Sequence, residues 1–278
     1  MTGAVPGAGP GGHVLEVEDL TAEAGGREVV HGVGMVVRSG EVHVVMGPNG
    51  SGKSTMAHAL MGRPGTVVTG GSIRLDGAEL VGRPSWERAR AGLFLALQQP
   101  IEVPGVRLEA MLAEAEAEAE AGAGAGGAGA GAGNRPAGPG APSLAARLRQ
   151  EAAAIGFDER FIDRPLNVDL SGGERKRNEV LQLGVLRPAF CVLDEIDSGL
   201  DVDAVRAVAR RIESATTQWG LGVVAVTHFH RILAELAADV VHVLVGGRMV
   251  ATGGPELARE LERTGYAAYE PSAGRPGG

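Results

Sequence analysis

The stretch EVHVVMGPNGSGKST, Glu41 to Thr55, decides the fold. Val42, Val44 and Val45 make a short β-branched run that enters a turn built from Gly47, Pro48, Asn49, Gly50, Ser51 and Gly52. A helix is predicted to follow, from about Lys53 to Met61. Strand, glycine-rich loop and helix, with the spacing GxxxxGK[ST], are the context of a phosphate loop. The glycines let backbone N–H groups curl around phosphate oxygens, and the helix N-terminus adds the positive end of its dipole. Lys53 is placed to reach the β- and γ-phosphates of a nucleotide, and Ser54, followed by Thr55, to offer a hydroxyl to Mg²⁺. A chance lysine in a glycine-rich turn is a poor alternative, because Lys53 and Lys176 are the only lysines among 26 basic residues.

Outward from this stretch, Val14 to Leu20 alternates as an edge-type strand would, and Ser72 to Leu75 and Phe94 to Leu97 read as further strands. Phe190 to Leu193, Leu221 to Val226 and Val240 to Leu244 are short apolar runs separated by helical patterns, of which Asp203 to Thr217 is the clearest. Alternating strands and helices imply an α/β fold with a mostly parallel sheet covered on both faces. Between about residues 98 and 186 the apolar strands stop and helices dominate, as in a helical subdomain inserted into the core. Inside it lies a low-complexity insertion, 113–142. Ala and Glu alternate from Ala113 to Ala121, a part that could extend the preceding helix although Glu114/Glu118 and Glu116/Glu120 repel at i,i+4 spacing. A Gly/Ala run and a Pro/Gly-rich run follow, too poor in buriable surface to order themselves. A surface loop is expected there, with an acidic docking arm as the alternative.

Two further motifs supply chemistry. Phe190-Cys191-Val192-Leu193 reads as a buried strand that delivers Asp194 and Glu195 toward the phosphates. Asp194 suits Mg²⁺, through water, and Glu195 suits accepting a proton from an attacking water. Leu170-Ser171-Gly172-Gly173-Glu174 opens a helix, so Ser171 and the N–H groups after it form an anion site.

This third motif resembles the signature sequence of ABC ATPases, and the resemblance runs from about Val14 to Tyr266. It implies an ATP-hydrolysing nucleotide-binding domain over residues 13–266, with an antiparallel β portion and flexible tails at 1–12 and 267–278. It also implies a head-to-tail dimer in which Ser171, Gly172 and Gly173 of one copy close over the ATP of the other. Gln98 matches the glutamine that links Mg²⁺ and the attacking water to the helical subdomain. Asp201, in Ser198-Gly199-Leu200-Asp201, matches a loop that runs along the dimer interface. His228, after Val223 to Val226, matches a histidine placed to touch the γ-phosphate. Many such ATPases stack adenine on an aromatic residue; Thr21 to Val30 holds none, which leaves Val30 as an apolar contact.

Within that class, three segments are similar to SufC, the ATPase of the Suf iron–sulfur assembly system. They are Leu97-Gln98-Gln99-Pro100-Ile101-Glu102-Val103-Pro104-Gly105-Val106, the helix from Ser171 to Gln182 (SGGERKRNEVLQ), and Asp194-Glu-Ile-Asp-Ser-Gly-Leu-Asp201. Glu260 to Tyr266 adds a similar ending. Transporter ATPases usually continue the signature with Gln-Arg and an Ala-rich helix, and often place Pro after the catalytic Glu. The resemblance implies SufB- and SufD-like scaffold partners, met around Gln99 to Val106. An ATP-binding subunit of an ABC membrane transporter stays open as the alternative.

Composition limits the remaining classes. A net charge of −8 argues against holding a nucleic-acid backbone or an anionic membrane. No apolar run approaches the roughly 20 residues of a membrane span, and Met1 to Gly12 lacks the basic-then-apolar order of a signal peptide. The single cysteine suits a reducing cytoplasm. It also places any iron–sulfur cluster, which normally needs four protein ligands, on a partner.

Overall fold

The computed structural model describes residues 12–124, 140–227, 232 and 235–269. Its core is a six-stranded sheet ordered β12-β11-β3-β10-β9-β6. Five strands run parallel: β3 (Val42–Met46), β6 (Leu93–Ala96), β9 (Phe190–Asp194), β10 (Gly222–Val226) and β11 (Val240–Val245). The sixth, β12 (Arg248–Gly253), returns antiparallel along β11. Strands β3, β9 and β10 are buried at every position, the continuous apolar pattern of a sheet covered on both faces. One face packs against α1 (Lys53–Met61) and an antiparallel sheet ordered β2-β1-β4-β5. The other face packs against α5 (Gly172–Leu186) and α6 (Val202–Trp219).

The antiparallel sheet corrects one expectation. Strand β1 (Val14–Ala24) pairs on both sides, with β2 (Arg27–Arg38) and β4 (Thr66–Leu75), so it is interior and not an edge. Its alternation arises because an antiparallel sheet buries one face wherever a strand lies in it. Strand β5 (Ala78–Glu79) forms the far side.

Strands also do not stop after Gln98. β7 (Val103–Arg107) and β8 (Pro165–Leu166) pair as an antiparallel ribbon. Beyond it come α3 (Leu108–Gly124), α4 (Leu144–Ala154) and a 3-10 turn, Glu159–Phe161. The Ala/Glu repeat extends α3, as its sequence allows. Arg147 of α4 pairs with Glu116 at 2.6 Å, and Arg90 of α2 (Ser85–Arg90) pairs with Glu118. These cations offset the i,i+4 repulsion that the repeat alone would carry. The Gly/Ala and Pro/Gly-rich runs fall mostly on residues 125–139, and the two tails mostly on 1–11 and 270–278, all outside the described residues. The last described helix is α7 (Pro255–Thr264).

A buried polar chain crosses the root of the phosphate loop. His43 Nδ1 lies 3.0 Å from His242 Nε2, His43 Nε2 lies 3.3 Å from Glu41, and His242 Nδ1 lies 3.0 Å from the Thr252 hydroxyl. Burial lowers the His242 pKa to about 4, helped by His43. Burial also lowers that of His43; Arg38 adds to the effect, while the Glu41 and Asp239 carboxylates oppose it. The folded protein therefore refuses a proton that the unfolded chain accepts below about pH 6.5, so stability is lost as pH falls from there toward 4. Glu179, pushed up to about 7 by burial, works in the opposite sense because folding makes it take up a proton. The effect is accordingly read as a difference. Relative to a His242→Gln variant, the parent is expected to lose up to about 1.4 kcal/mol per pH unit between pH 6.5 and 5. Denaturant midpoints that fall in parallel for both proteins would mean that His242 is not held neutral.

Candidate functional site

β3 ends at Met46 and the chain turns through Gly47 to Gly52 into α1. Gly47 must be glycine, because a Cβ there would stand 2.0 Å from the Leu244 carbonyl oxygen. Gly52 caps α1 in a left-handed conformation, φ 101°, and no described side chain caps the helix. The first N–H groups of α1 are thus left for an anion. Residues 49–55, with Val29, Gln98 and Glu195, line a cavity of about 350 Å³.

Lys53 folds back on the loop and donates to the carbonyls of Gly47 at 2.8 Å and Pro48 at 2.9 Å. Burial lowers its pKa against the pull of Glu195 and Asp194. Ser54 donates to Asp194 Oδ1 at 3.1 Å, while Asp194 Oδ2 is buried and makes no hydrogen bond with any described residue. Burial raises the Asp194 pKa. A serine hydroxyl beside a carboxylate with an unsatisfied oxygen is a hard, oxygen-only donor set that fits Mg²⁺.

Glu195 follows β9 with φ 51°, a turn away from the strand fixed by its N–H donating to Val226 O at 2.9 Å. Gln98 Nε2 donates to Glu195 Oε2 at 2.5 Å, which brings these two predicted residues together at the cavity. Lys176 donates to the Glu195 carbonyl and, at 2.5 Å, to the Ser198 hydroxyl. Sequence reasoning gave Lys176 no role, although its rarity was a signal.

The signature residues sit elsewhere. Ser171 is the N-cap of α5 and forms a capping box with Glu174, whose amide donates to Ser171 Oγ at 3.3 Å while its carboxylate accepts from Ser171 N at 2.7 Å. The Ser171 hydroxyl, which donates to the same carboxylate at 2.6 Å, and then the Ser171 amide hold the Glu174 pKa down. Gly173 packs near the Gly199 carbonyl and Leu200. Asp201 accepts from Ala204 N at 2.8 Å and caps α6. Ser171, Gly172, Gly173 and Asp201 do not line the phosphate-loop cavity; Gly172 borders a second cavity of about 280 Å³ shared with Gln98, Lys176 and Ser198. His228 lies outside the described residues. The apolar contact for a base moves by one residue. Along β2 successive side chains face opposite ways, so Val30 is sealed in the core and Val29 lines the cavity.

The ABC transporter family profile matches residues 30–198, from within β2 to the turn after β9. The chain belongs to the ABC transporter family. Over 258 residues it is 40% identical to "Probable ATP-dependent transporter ycf16" of Cyanophora paradoxa, covering 91% of this chain and 93% of that one. It is 41% identical over 252 residues to "Vegetative protein 296" of Bacillus subtilis, 91% of each. A solved "Structure of ATP binding subunit of ABC transporter" superimposes with a TM-score of 0.68 at 24% identity, over 91% of this chain and 95% of that one, which supports the fold. This ABC ATPase binds and hydrolyses ATP, as the domains of its family do. Such domains dimerise and pair with transmembrane or other partner subunits. No helix among the described residues is long and apolar enough to cross a membrane.

Proposed function

We propose that this ABC ATPase drives rearrangement of a SufB–SufD type scaffold during iron–sulfur cluster assembly in the cytoplasm. The observation that carries this reading is the use made of the signature helix. Lys176 and Glu179 belong to the SufC-like sequence SGGERKRNEVLQ, and both side chains are buried in contact with the Glu195 and Leu97 backbones. An alanine at position 179, as in the Ala-rich helix usual in transporter ATPases, has no oxygen to accept from the Leu97 amide. Ile101 and Val106, within the segment assigned to the scaffold, are exposed at 66% and 38%. Cys191 is fully buried, which supports a cluster carried by the partner.

In this reading ATP lies along residues 47–55. Lys53 leaves the Gly47 and Pro48 carbonyls to reach the β- and γ-phosphates. Ser54, Asp194 and Gln98 hold Mg²⁺, which when bound neutralises phosphate charge. Glu195 takes the proton of the attacking water, Gln98 sets the water's position, and His228 contacts the γ-phosphate. Ser171 and Gly173 of a second copy close the site and Asp201 lines the interface, so a lone copy lacks half of its electrostatic stabilisation.

The names of several relatives, such as "Probable ABC transporter ATP-binding protein SpyM3_0208" of Streptococcus pyogenes, favour a second reading as a transporter subunit. Affinity capture of the tagged protein from its own cells, with mass spectrometry, separates the two. Two large soluble scaffold-like proteins are expected; integral membrane permeases in their place would overturn the assignment and leave the ATPase chemistry intact.

A further inference from the structure

The phosphate-loop cavity and the signature motif are two separate places on one chain, and α5 touches both. At its N-terminus it carries Ser171. One turn in, Arg175 pairs with Glu102, and Lys176 reaches the Glu195 carbonyl. A further turn on, Glu179 Oε2 accepts the Leu97 amide proton at 2.8 Å. Leu97 is the first residue after β6 and the immediate neighbour of Gln98.

We propose that Glu179 is a positioning residue, whose hold on the Leu97 amide fixes where Gln98 stands and makes the Gln98 segment move with the helix that presents Ser171. The site at which this chain works on its own ATP is thereby set by the same helix that it offers to a second copy. Three features carry the assignment. The Glu179 side chain is buried, 7% exposed, where a carboxylate is costly and is retained only for a specific partner. Its partner is a backbone N–H at the point where β6 gives way to an irregular turn, so no sheet ladder replaces the bond if it is lost. The residue held next in sequence donates to Glu195 itself. A carboxylate oxygen accepting one N–H can be replaced in that job by an amide oxygen, and cannot be replaced by a hydrocarbon.

The proposal rests on Gln98 acting in hydrolysis, so Gln98→Ala is measured beside it. Steady-state ATPase activity and binding of a non-hydrolysable ATP analogue are compared for the parent, Glu179→Gln, Glu179→Met and Gln98→Ala. Met fills the space with an apolar chain of similar length and keeps α5 packed; thermal melts confirm folding. Glu179→Met is expected to lower kcat roughly tenfold, less than the ~10²-fold that a 1 Å misplacement can cost. Its KM and analogue affinity should stay within about twofold, because the phosphate loop is untouched. Glu179→Gln should recover most of the loss. In the parent and the Gln variant, amide exchange across residues 93–100 should be slower than in the Met variant. A folded Met variant with parental kcat, or a Gln variant as slow as Met, overturns the role of Glu179. If Gln98→Ala turns over at the parental rate, the reading of Gln98 fails and the proposal falls with it.

Discussion

Replacing Glu195 by Gln is expected to stop turnover while leaving ATP bound, and so to trap a closed dimer. The side chain proposed to accept the water's proton would become one that cannot, at a cost of ~10²–10⁴-fold in rate. Phosphate binding would be spared, because the hydrogen bonds of Lys53 go to the Gly47 and Pro48 carbonyls and that of Ser54 goes to Asp194. The Gln98 amide that donates to Glu195 Oε2 finds an equivalent oxygen on Gln, so the local geometry survives. Light scattering with ATP and Mg²⁺ would show a stable dimer in the variant and a mainly monomeric, cycling parent. Normal turnover in Glu195→Gln would remove the residue from its role.

The largest stability effect is expected at the buried pair of Glu151 and Arg211. Arg211 of α6 grips Glu151 of α4 through two hydrogen bonds, at 2.5 and 2.7 Å, and its guanidinium lies 4.9 Å from the centre of the Trp219 ring. Both charges are buried. To reach α6, the carboxylate passes over α5 at Gly184, where a Cβ would come within 2.1 Å of Glu151 Oε2. Glu151→Ala leaves a guanidinium buried without its counter-charge, and a loss of about 3–5 kcal/mol is expected. Glu151→Met combined with Arg211→Met removes both charges and should cost much less, since apolar replacement of a buried pair is often near neutral. Denaturant unfolding at pH 7, followed by tryptophan fluorescence, measures all three proteins. A Glu151→Ala loss below about 1 kcal/mol would show that water reaches the site and screens the arginine.

What could be read in the sequence was what chemistry forces on contiguous residues. A phosphate cradle needs its glycines, lysine and hydroxyl within nine positions, so Gly47 to Thr55 announces itself, as does the buried strand ending in Asp194 and Glu195. Periodicity reached less far. It found β1 but gave it an edge, because alternation reports a solvated face and not a missing neighbour. It passed over β2, although Val33, Met35 and Val37 alternate, and over the β7–β8 ribbon, whose partners lie about sixty residues apart. The contacts that lock the site were out of reach for the same reason. Nothing near Glu179 in sequence points to Leu97, 82 positions away, nor near Glu151 to Arg211, 60 positions away. Naming Val30 missed Val29, because a one-residue error in a strand turns the side chain to the opposite face.

The lone thiol, Cys191, is the second residue of β9 and has no surface open to solvent. Burial raises its pKa, so almost none is thiolate at neutral pH, and thiol reagents attack only the thiolate. The natural protein is therefore already a silent background for labelling. A cysteine introduced at an exposed position outside the site, such as Val67, would take a spin label or fluorophore alone, without first removing the native thiol from the core. Distances between copies, with and without nucleotide, become measurable on a chain altered at a single position.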